Sequence, residues 1–234
     1  MQTKLDNQCR YFGEKFSVKV TGLLKEGSIF TTIGEVADDE QAQLIVMGTH
    51  GVKGVQHLVG AYALKVVAGS KVPVVIVQHK LPKAHGYMKI VSPIDFSVET
   101  KQKTLQTMAV AKMFNADVHL FQQAGYDESV DNKIRLNTQF VKRHLEQQDI
   151  TFTEATQENK KGDFAKDFIA YAKSVDADLI VILTTVEKGI KDLVLGTEEQ
   201  KVINNTEEIP VMCVNPLQNL YKTETLASAV HIGF

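Results

Sequence analysis

The sequence has few of the residues that crosslink a chain or hold a metal ion. Only two cysteines occur among its 234 residues. Cys9 and Cys213 belong to no CxxC or related set, which argues against a disulfide framework and against a cysteine metal site. So little cysteine favours a reducing, cytoplasmic setting.

The sequence also lacks a strong charge of either sign and a long hydrophobic run. Its formal net charge is −2, so neither nucleic acid nor a membrane surface is an expected partner. The longest apolar runs, such as residues 72–77, are far too short to span a bilayer. Residues 1–6 contain no apolar signal core. The composition, 44% hydrophobic and 23% charged, is that of a globular protein with room for two ordinary domains.

What the sequence does contain is an internal repeat. Residues 42–47 (AQLIVM) match residues 177–182 (ADLIVI) at a spacing of 179 − 44 = 135 positions. Residues 72–77 match residues 209–214 at a spacing of 210 − 73 = 137, so the second copy has two extra residues in between. The chain is therefore predicted to contain two copies of one structural unit.

Each copy is predicted to run from a helix to a buried strand, a glycine-bearing loop, a helix and a second buried strand. Continuous apolar strands that alternate with amphipathic helices indicate an α/β fold with a parallel sheet covered on both faces. The second copy is longer and predicts five strands in β-α-β-α-β-α-β-α-β order. Its predicted elements are 88–95, 99–114, 117–121, 132–148, 150–154, 163–174, a strand at Leu179, 198–205 and a strand at Val211.

The first copy is shorter at its amino end. Its opening strand would lie about 47 residues before Met1, since 88 − 135 = −47. Residues 3–16 stand where the helix at 132–148 stands in the second copy. Their apolar residues recur at helical spacing: Leu5, Cys9, Phe12 and Phe16. The first copy therefore lacks an initial β-α-β unit, through truncation, a misassigned start or residues outside this sequence, or else it is a different, smaller fold.

A polar stretch with Pro82 and Gly86 separates the two copies and predicts a linker. The predicted division is 1–80 for the partial first unit, 81–87 for the linker, 88–216 for the complete second unit and 217–234 for a C-terminal tail.

A glycine-rich loop follows the first buried strand. It comprises Gly48, Thr49, His50, Gly51, Lys53 and Gly54 and continues to Gly60 and Ala61. Ligands of open parallel sheets bind at the carboxyl ends of the strands. Glycines let phosphate approach the backbone, and the start of the next helix favours an anion. A tight turn without a ligand explains the loop equally well, and the spacing is neither a Walker A nor a Rossmann fingerprint.

At these residues the sequence resembles the universal stress protein family, on the element order, the repeat and the partial motifs together, from about residue 3 to 216. Nucleotide-binding members of that family carry G-x2-G-x9-G-[S/T] in this loop. Gly48 and Gly51 match, but only eight residues precede Gly60, and Ala61 replaces the hydroxyl residue. The resemblance implies two open parallel-sheet, Rossmann-like domains of the adenine-nucleotide alpha hydrolase type in tandem, the first without its initial β-α-β.

The second copy keeps a different part of the family's site. The corresponding residues are Pro93, Ile94, Asp95, Gly196 and Thr197. Asp95 stands at the acidic position of the family's opening strand. Without the resemblance, Asp95 would be interpreted as a turn or helix-capping residue. Leu183 and Val186 replace the two glycines, and a β-branched valine would crowd the approach of phosphate to the backbone. The second copy is therefore expected to bind ATP weakly or not at all.

The resemblance implies a stress-response protein, and three functions stay open. The first is a non-enzymatic adaptor gated by ATP or another adenine nucleotide, with Mg²⁺ if ATP binds. The second is a partner-binding module that needs no nucleotide. The third is a nucleotide hydrolase, which the sequence supports least because it shows no metal–carboxylate pair near the loops. No catalytic residue and no protein metal site are therefore expected.

The final strands of the two copies, 72–77 and 209–214, are apolar edge strands that need a cover. The resemblance implies that such strands pair with each other, here within one chain as a pseudo-dimer. Dimerisation of the whole chain is a further expectation, as is a partner in the gap left by the missing β-α-β unit.

Overall fold

The computed structural model describes residues 2–48, 61–78, 83–158, 162–184 and 195–216. Helices and strands alternate along these ranges in nearly the predicted order, except that α2 follows α1 and β3 follows β2 directly. The helices are α1 (Gln2–Phe16), α2 (Ile29–Asp39), α3 (Ala61–Gly69), α4 (Thr100–Phe114), α5 (Glu128–Gln147), α6 (Phe164–Ser174) and α7 (Thr197–Ile203). The strands are β1 (Ile45–Gly48), β2 (Val74–Val77), β3 (Lys89–Ile94), β4 (Asp117–Gln122), β5 (Phe152–Thr156), β6 (Leu179–Leu183) and β7 (Val211–Val214).

The strands of the described residues form one seven-stranded sheet in the order β1-β2-β7-β6-β3-β4-β5. Neighbouring strands are parallel except β2 and β7, which pair antiparallel with Val75 opposite Met212. The predicted α/β class with parallel strands is confirmed. Strands β1 and β2 therefore run opposite to the other five strands. The carboxyl ends of the two groups of strands point in opposite directions.

Both faces of the sheet are covered by helices in the second unit. Successive strand side chains point to opposite faces. In β6, Ile180 therefore packs in one buried cluster with Phe168 of α6. Val181 packs in the other cluster with Met108 of α4 and Leu145 of α5. This two-sided burial explains why β6 is apolar at every position.

Helix α5 begins four residues earlier than the sequence pattern indicated. Asp127 is its N-cap, and its Oδ1 accepts the backbone N–H of Val130 at 2.8 Å. This is the usual capping geometry of an aspartate, which satisfies one of the unpaired N–H groups of the first turn. The predicted start at Asn132 was wrong because it followed the apolar positions alone and passed over this cap.

The end of the predicted linker is bound to the second unit. Lys83 Nζ lies 2.8 Å from Asp178 Oδ1. The other oxygen of that carboxylate accepts the backbone N–H groups of Met88 and Lys89, each at 3.0 Å. Asp178 is itself buried, so these contacts fix the entry of the chain into β3. The division of the chain at 81–87 stays a prediction.

Gly86 offers a test of this docked segment. Its φ is +78°, and a Cβ there would lie 2.6 Å from two ring atoms of Phe114. We expect Gly86→Ala to lower the free energy of unfolding by about 1–3 kcal/mol, because both the backbone and the ring would be strained. Gly34 in α2 is the matched control, since a Cβ there would meet nothing within 4 Å. Gly34→Ala should raise that free energy by up to about 1 kcal/mol. Urea denaturation of both variants checks the opposite signs, and a neutral Gly86→Ala would contradict the strain.

An amide side chain crosses the β2/β7 seam from the first unit. Gln78 directly follows β2 and is buried. Its Nε2 donates to the carbonyl of Ile203 at 3.0 Å and to that of Asn205 at 3.2 Å. These carbonyls lie at the carboxyl end of α7, where the helix has no internal donors left. Gln78 therefore caps the last helix of the second unit.

The second unit returns the same contact. Asn215 directly follows β7, and its Nδ2 donates to the carbonyl of Val67 at 2.5 Å and to that of Ser70 at 2.7 Å, at the end of α3. The spacing 215 − 78 = 137 equals that of the final strands, so Gln78 and Asn215 are counterparts in the repeat. We call the two side chains the amide clamps. Each anchors the last helix of the opposite unit.

Candidate functional site

The glycine-rich loop of the first unit lies between β1 and α3. Gly48 is the last residue of β1 and pairs with Val77 at the end of β2. Helix α3 begins at Ala61. The other predicted residues of this loop lie outside the described residues: Thr49, His50, Gly51, Lys53, Gly54 and Gly60. The loop therefore leaves the sheet at the carboxyl end of the first unit's strands, the edge at which open parallel sheets bind ligands.

In the second unit, Asp95 closes the turn between β3 and α4. Its Oδ1 accepts three hydrogen bonds, from the Ser97 N–H at 2.8 Å, the Ser97 hydroxyl at 2.5 Å and the Thr100 hydroxyl at 2.9 Å. Asn137 of α5 donates to the backbone carbonyls of Asp95 and Ser97, each at 2.8 Å. This is the arrangement of an Asx turn. Oδ1 of Asp95 is therefore occupied by hydrogen bonds within the protein.

Lys103 lies beneath this turn and was not singled out from the sequence. Its side chain is 1% exposed, and its Nζ donates to the backbone carbonyl of Pro93. Burial lowers the pKa of Lys103 to about 8, with the Asp95 carboxylate opposing that shift. Burial would raise the pKa of Asp95, but the charge of Lys103 and the hydrogen bonds from Ser97 and Thr100 hold it below its ordinary value. A buried ammonium group whose charge acts on the Asp95 carboxylate thus lies at the base of the predicted second site.

The remaining second-unit positions around the motif are also used by the fold. Ile94 and Leu183 are buried members of one hydrophobic cluster. Leu183 stands where the first unit has Gly48, and Val186 lies outside the described residues. One oxygen of Asp95 is thus engaged in its turn, and a buried leucine stands in place of the glycine. Whether the second unit binds a nucleotide stays a prediction.

Gly196 and Thr197 begin α7. Gly196 occupies the N-cap position, and Thr197 is the first helical residue. In the next position, Glu198 accepts the backbone N–H of Ala165 in α6 at 3.1 Å through Oε2. The start of α7 is thereby tied to α6. Because β6 and β3 are parallel neighbours, Gly196 lies at the same sheet edge as Asp95.

The described residues of the two partial motifs lie apart. Gly48 and Ala61 lie at the carboxyl ends of the first unit's strands, and Asp95 and Gly196 lie at those of the second unit's strands. These two sets of ends point in opposite directions, because β2 and β7 are antiparallel. Within the described ranges, no three His, Cys, Asp or Glu side chains are grouped to hold a metal ion. None of the helices in the part of the chain that the structure describes has the length and apolar character that a membrane crossing needs.

Known structures share this architecture. A universal stress protein from Archaeoglobus fulgidus DSM 4304 is similar at a TM-score of 0.68 and 18% identity, over 93% of this chain and 78% of that one. A Pseudomonas aeruginosa UCBPP-PA14 protein assigned to the same family has a TM-score of 0.67 and 15% identity, over 92% and 78%. A complex of an Archaeoglobus fulgidus universal stress protein with dAMP is similar only at 0.43 and 20% identity, over 55% of this chain and 98% of that one.

The sequence itself gives the family. No curated protein matches it at a significant level. The sequence model of the universal stress protein family matches in two segments, residues 12–78 and 86–215, one for each copy of the repeat. These segments contain most of the chain and all the strands described above. The chain therefore belongs to the universal stress protein family.

Proposed function

We propose that this chain is a non-enzymatic stress-response adaptor whose first unit binds an adenine nucleotide in the loop after β1. The observation that supports it best is the position of Gly48, at the carboxyl end of β1 and ahead of the start of α3. A backbone without side chains at Gly48 and Gly51, followed by a helix start, suits the phosphates of a nucleotide. Lys53 would add a positive charge. If ATP is the ligand, Mg²⁺ accompanies it.

The proposal assigns binding to the first unit alone. In the second unit the turn at Asp95 is closed by its own hydroxyl and amide donors, and Lys103 balances its charge. Such a site serves folding and not exchange of a ligand. Nucleotide binding would then regulate the protein by shifting its population between two conformations or assemblies in the cytoplasm.

The alternative is a partner-binding module without a nucleotide. The closed second site favours it, since one unit of this chain keeps the fold without the ligand-binding residues. Ala61 supports it too, because the first unit lacks the hydroxyl donor that the family motif carries there. Under this alternative, Gly48 and Gly51 serve only the turn.

Calorimetric titration with ATP, ADP and AMP in the presence of Mg²⁺ distinguishes these functions. We expect one nucleotide to bind without turnover. Gly51→Val should abolish binding, because the valine side chain would fill the space that the phosphates need. Thr197→Ala is the matched control in the second unit and should leave the affinity unchanged. Absence of binding by all three nucleotides would refute the nucleotide-gated function, and release of phosphate would refute the non-enzymatic one.

A further inference from the structure

The helix that follows the glycine-rich loop is held by a side chain of the second unit. Helix α3 begins at Ala61, after that loop, and leads at its carboxyl end into the turn before β2. Asn215 reaches this carboxyl end across the β2/β7 seam and donates to the carbonyls of Val67 and Ser70 at 2.5 and 2.7 Å. The hydroxyl of Ser70 in turn donates to the carbonyl of Val72 at 2.7 Å. One amide of the second unit therefore fixes both the end of α3 and the turn that follows it.

The orientation of the Asn215 amide is set within the second unit. Thr184 directly follows β6 and is fully buried. Its hydroxyl donates to Oδ1 of Asn215, and its backbone N–H donates to the carbonyl of Val214 at 2.9 Å. The opposite orientation of the amide would place its oxygen against two carbonyl oxygens, which have no hydrogen to donate. The end of β6 and the end of α3 are therefore joined through one correctly oriented side chain.

The other amide clamp reaches the glycine-rich loop from its opposite end. Gln78 directly follows Val77, and Val77 pairs with Gly48, the last residue of β1 before the loop. The Gln78 side chain is held by two carbonyls at the end of α7. The second unit thus holds the strand beside the start of the loop through Gln78, and the helix after the loop through Asn215.

The position of α3 determines where an anion would meet its amino end. The helix has nine residues and is therefore about 13 Å long. Ala63 and Val67 bury its inner side in the hydrophobic cluster of the sheet, so the helix is expected to move as one rigid element. The partial positive charge at a helix start acts on an anion only within the first turn. A small displacement of α3 at its carboxyl end would therefore weaken the contact with a phosphate at its amino end.

We infer that Asn215 is a positioning residue for nucleotide binding in the first unit. The inference rests on the proposed function, because it adds a residue of the second unit to the support of that same site. Asn215 lies at the opposite end of α3 from the proposed phosphates and acts through the helix. Thr184 acts one step further away, because it orients the amide of Asn215. The affinity of the first unit for its ligand thus depends on the end of β6 in the second unit.

Calorimetric titration of the whole chain with ATP, ADP and AMP in the presence of Mg²⁺ tests this inference. Asn215→Leu should raise the Kd of the nucleotide that binds best about tenfold or more, because α3 loses its anchor. Thr184→Val removes the hydroxyl that orients the amide and should raise the Kd by a smaller factor. Gln157→Leu is the matched control and should leave the Kd unchanged. Gln157 is a buried amide that donates to Asp167 at 2.9 Å beside β5, at the far edge of the sheet. Circular dichroism at the titration temperature shows that each variant is folded.

Hydrogen exchange without a nucleotide tests the anchoring of α3 by itself. In Asn215→Leu, the amides of residues 66–69 should exchange about tenfold faster relative to those of β4, whereas Gln157→Leu should leave this ratio unchanged. An unchanged ratio in Asn215→Leu would overturn the inference, whether or not a nucleotide binds. An unchanged Kd in Asn215→Leu would also overturn it and would leave the proposed function standing. Absence of binding by the unmodified chain would refute the proposed function, and with it the assignment of Asn215 to nucleotide binding.

Discussion

Replacing Gln78 and Asn215 together with leucine is expected to lower the free energy of unfolding by about 2–6 kcal/mol. Each amide gives both of its N–H groups to two carbonyls at a helix end. Leucine has a similar size but no donor, so each change removes the donor of one buried carbonyl, that of Ile203 or that of Ser70. The carbonyls of Asn205 and Val67 each keep a backbone N–H. A buried polar group left unpaired costs about 1–3 kcal/mol, and two amide clamps give the stated range.

Urea denaturation of the two single variants and the double variant measures this effect. Asn215→Leu should cost more than Gln78→Leu, because Asn215 Oδ1 also accepts the hydroxyl of the buried Thr184. Gln147→Leu, an exposed residue at the end of α5, is the matched control and should change the free energy by less than about 0.5 kcal/mol. A double variant as stable as this control would show that the amide clamps do not stabilise the contact between the two units.

The stability of the unmodified chain relative to Lys103→Met is expected to rise by up to about 3–4 kcal/mol between pH 8 and 10.5. Burial lowers the pKa of Lys103 from its ordinary 10.5 to about 8. The folded chain therefore releases this proton first as the pH rises, and the unfolded chain holds more protons within the window. Stability rises with pH under that condition. The limit follows from 10.5 − 8, multiplied by about 1.4 kcal/mol per pH unit.

The comparison with Lys103→Met is needed because Cys213 changes the stability of the chain in the opposite direction as the pH rises. Burial raises the pKa of Cys213 above its ordinary 9.0, so the unfolded chain loses that proton first and stability falls above pH 9. Cys213 is present in both proteins, so its effect cancels in the difference. Urea denaturation at several pH values from 7.5 to 10.5 gives the two curves. Parallel curves would contradict a buried, weakly basic Lys103.

The sequence predicted those strands and helices whose apolar pattern fits only one type of secondary structure. Continuous runs such as 179–183 are buried on both faces and form strands, as expected. For α4, the apolar residues alone do not predict which side chains are buried. The helix instead buries Lys103, Thr104 and Thr107 and exposes Met113. Threonine hydroxyls make this possible, because they donate to carbonyls one turn back in the same helix.

The candidate site could be predicted in part. Asp95 followed by Ser97 and Thr100 is a turn pattern that the sequence contains, and it indicates local hydrogen bonds to the carboxylate. Lys103 could not be found in this way. Its ammonium meets the carbonyl of Pro93 only because α4 folds back on β3, a contact between residues that no periodicity links. The opposite directions of the two units likewise follow from the β2/β7 pairing, which is a tertiary contact.

The antiparallel seam also couples the unfolding of the two repeats. Val75 of β2 lies in the same buried cluster as Val181 and Met212 of the second unit. Neither repeat therefore keeps a closed core once the other has unfolded. Although the sequence contains two separate repeats, the chain is expected to unfold in one cooperative transition. A destabilising change in either repeat then lowers the stability of both.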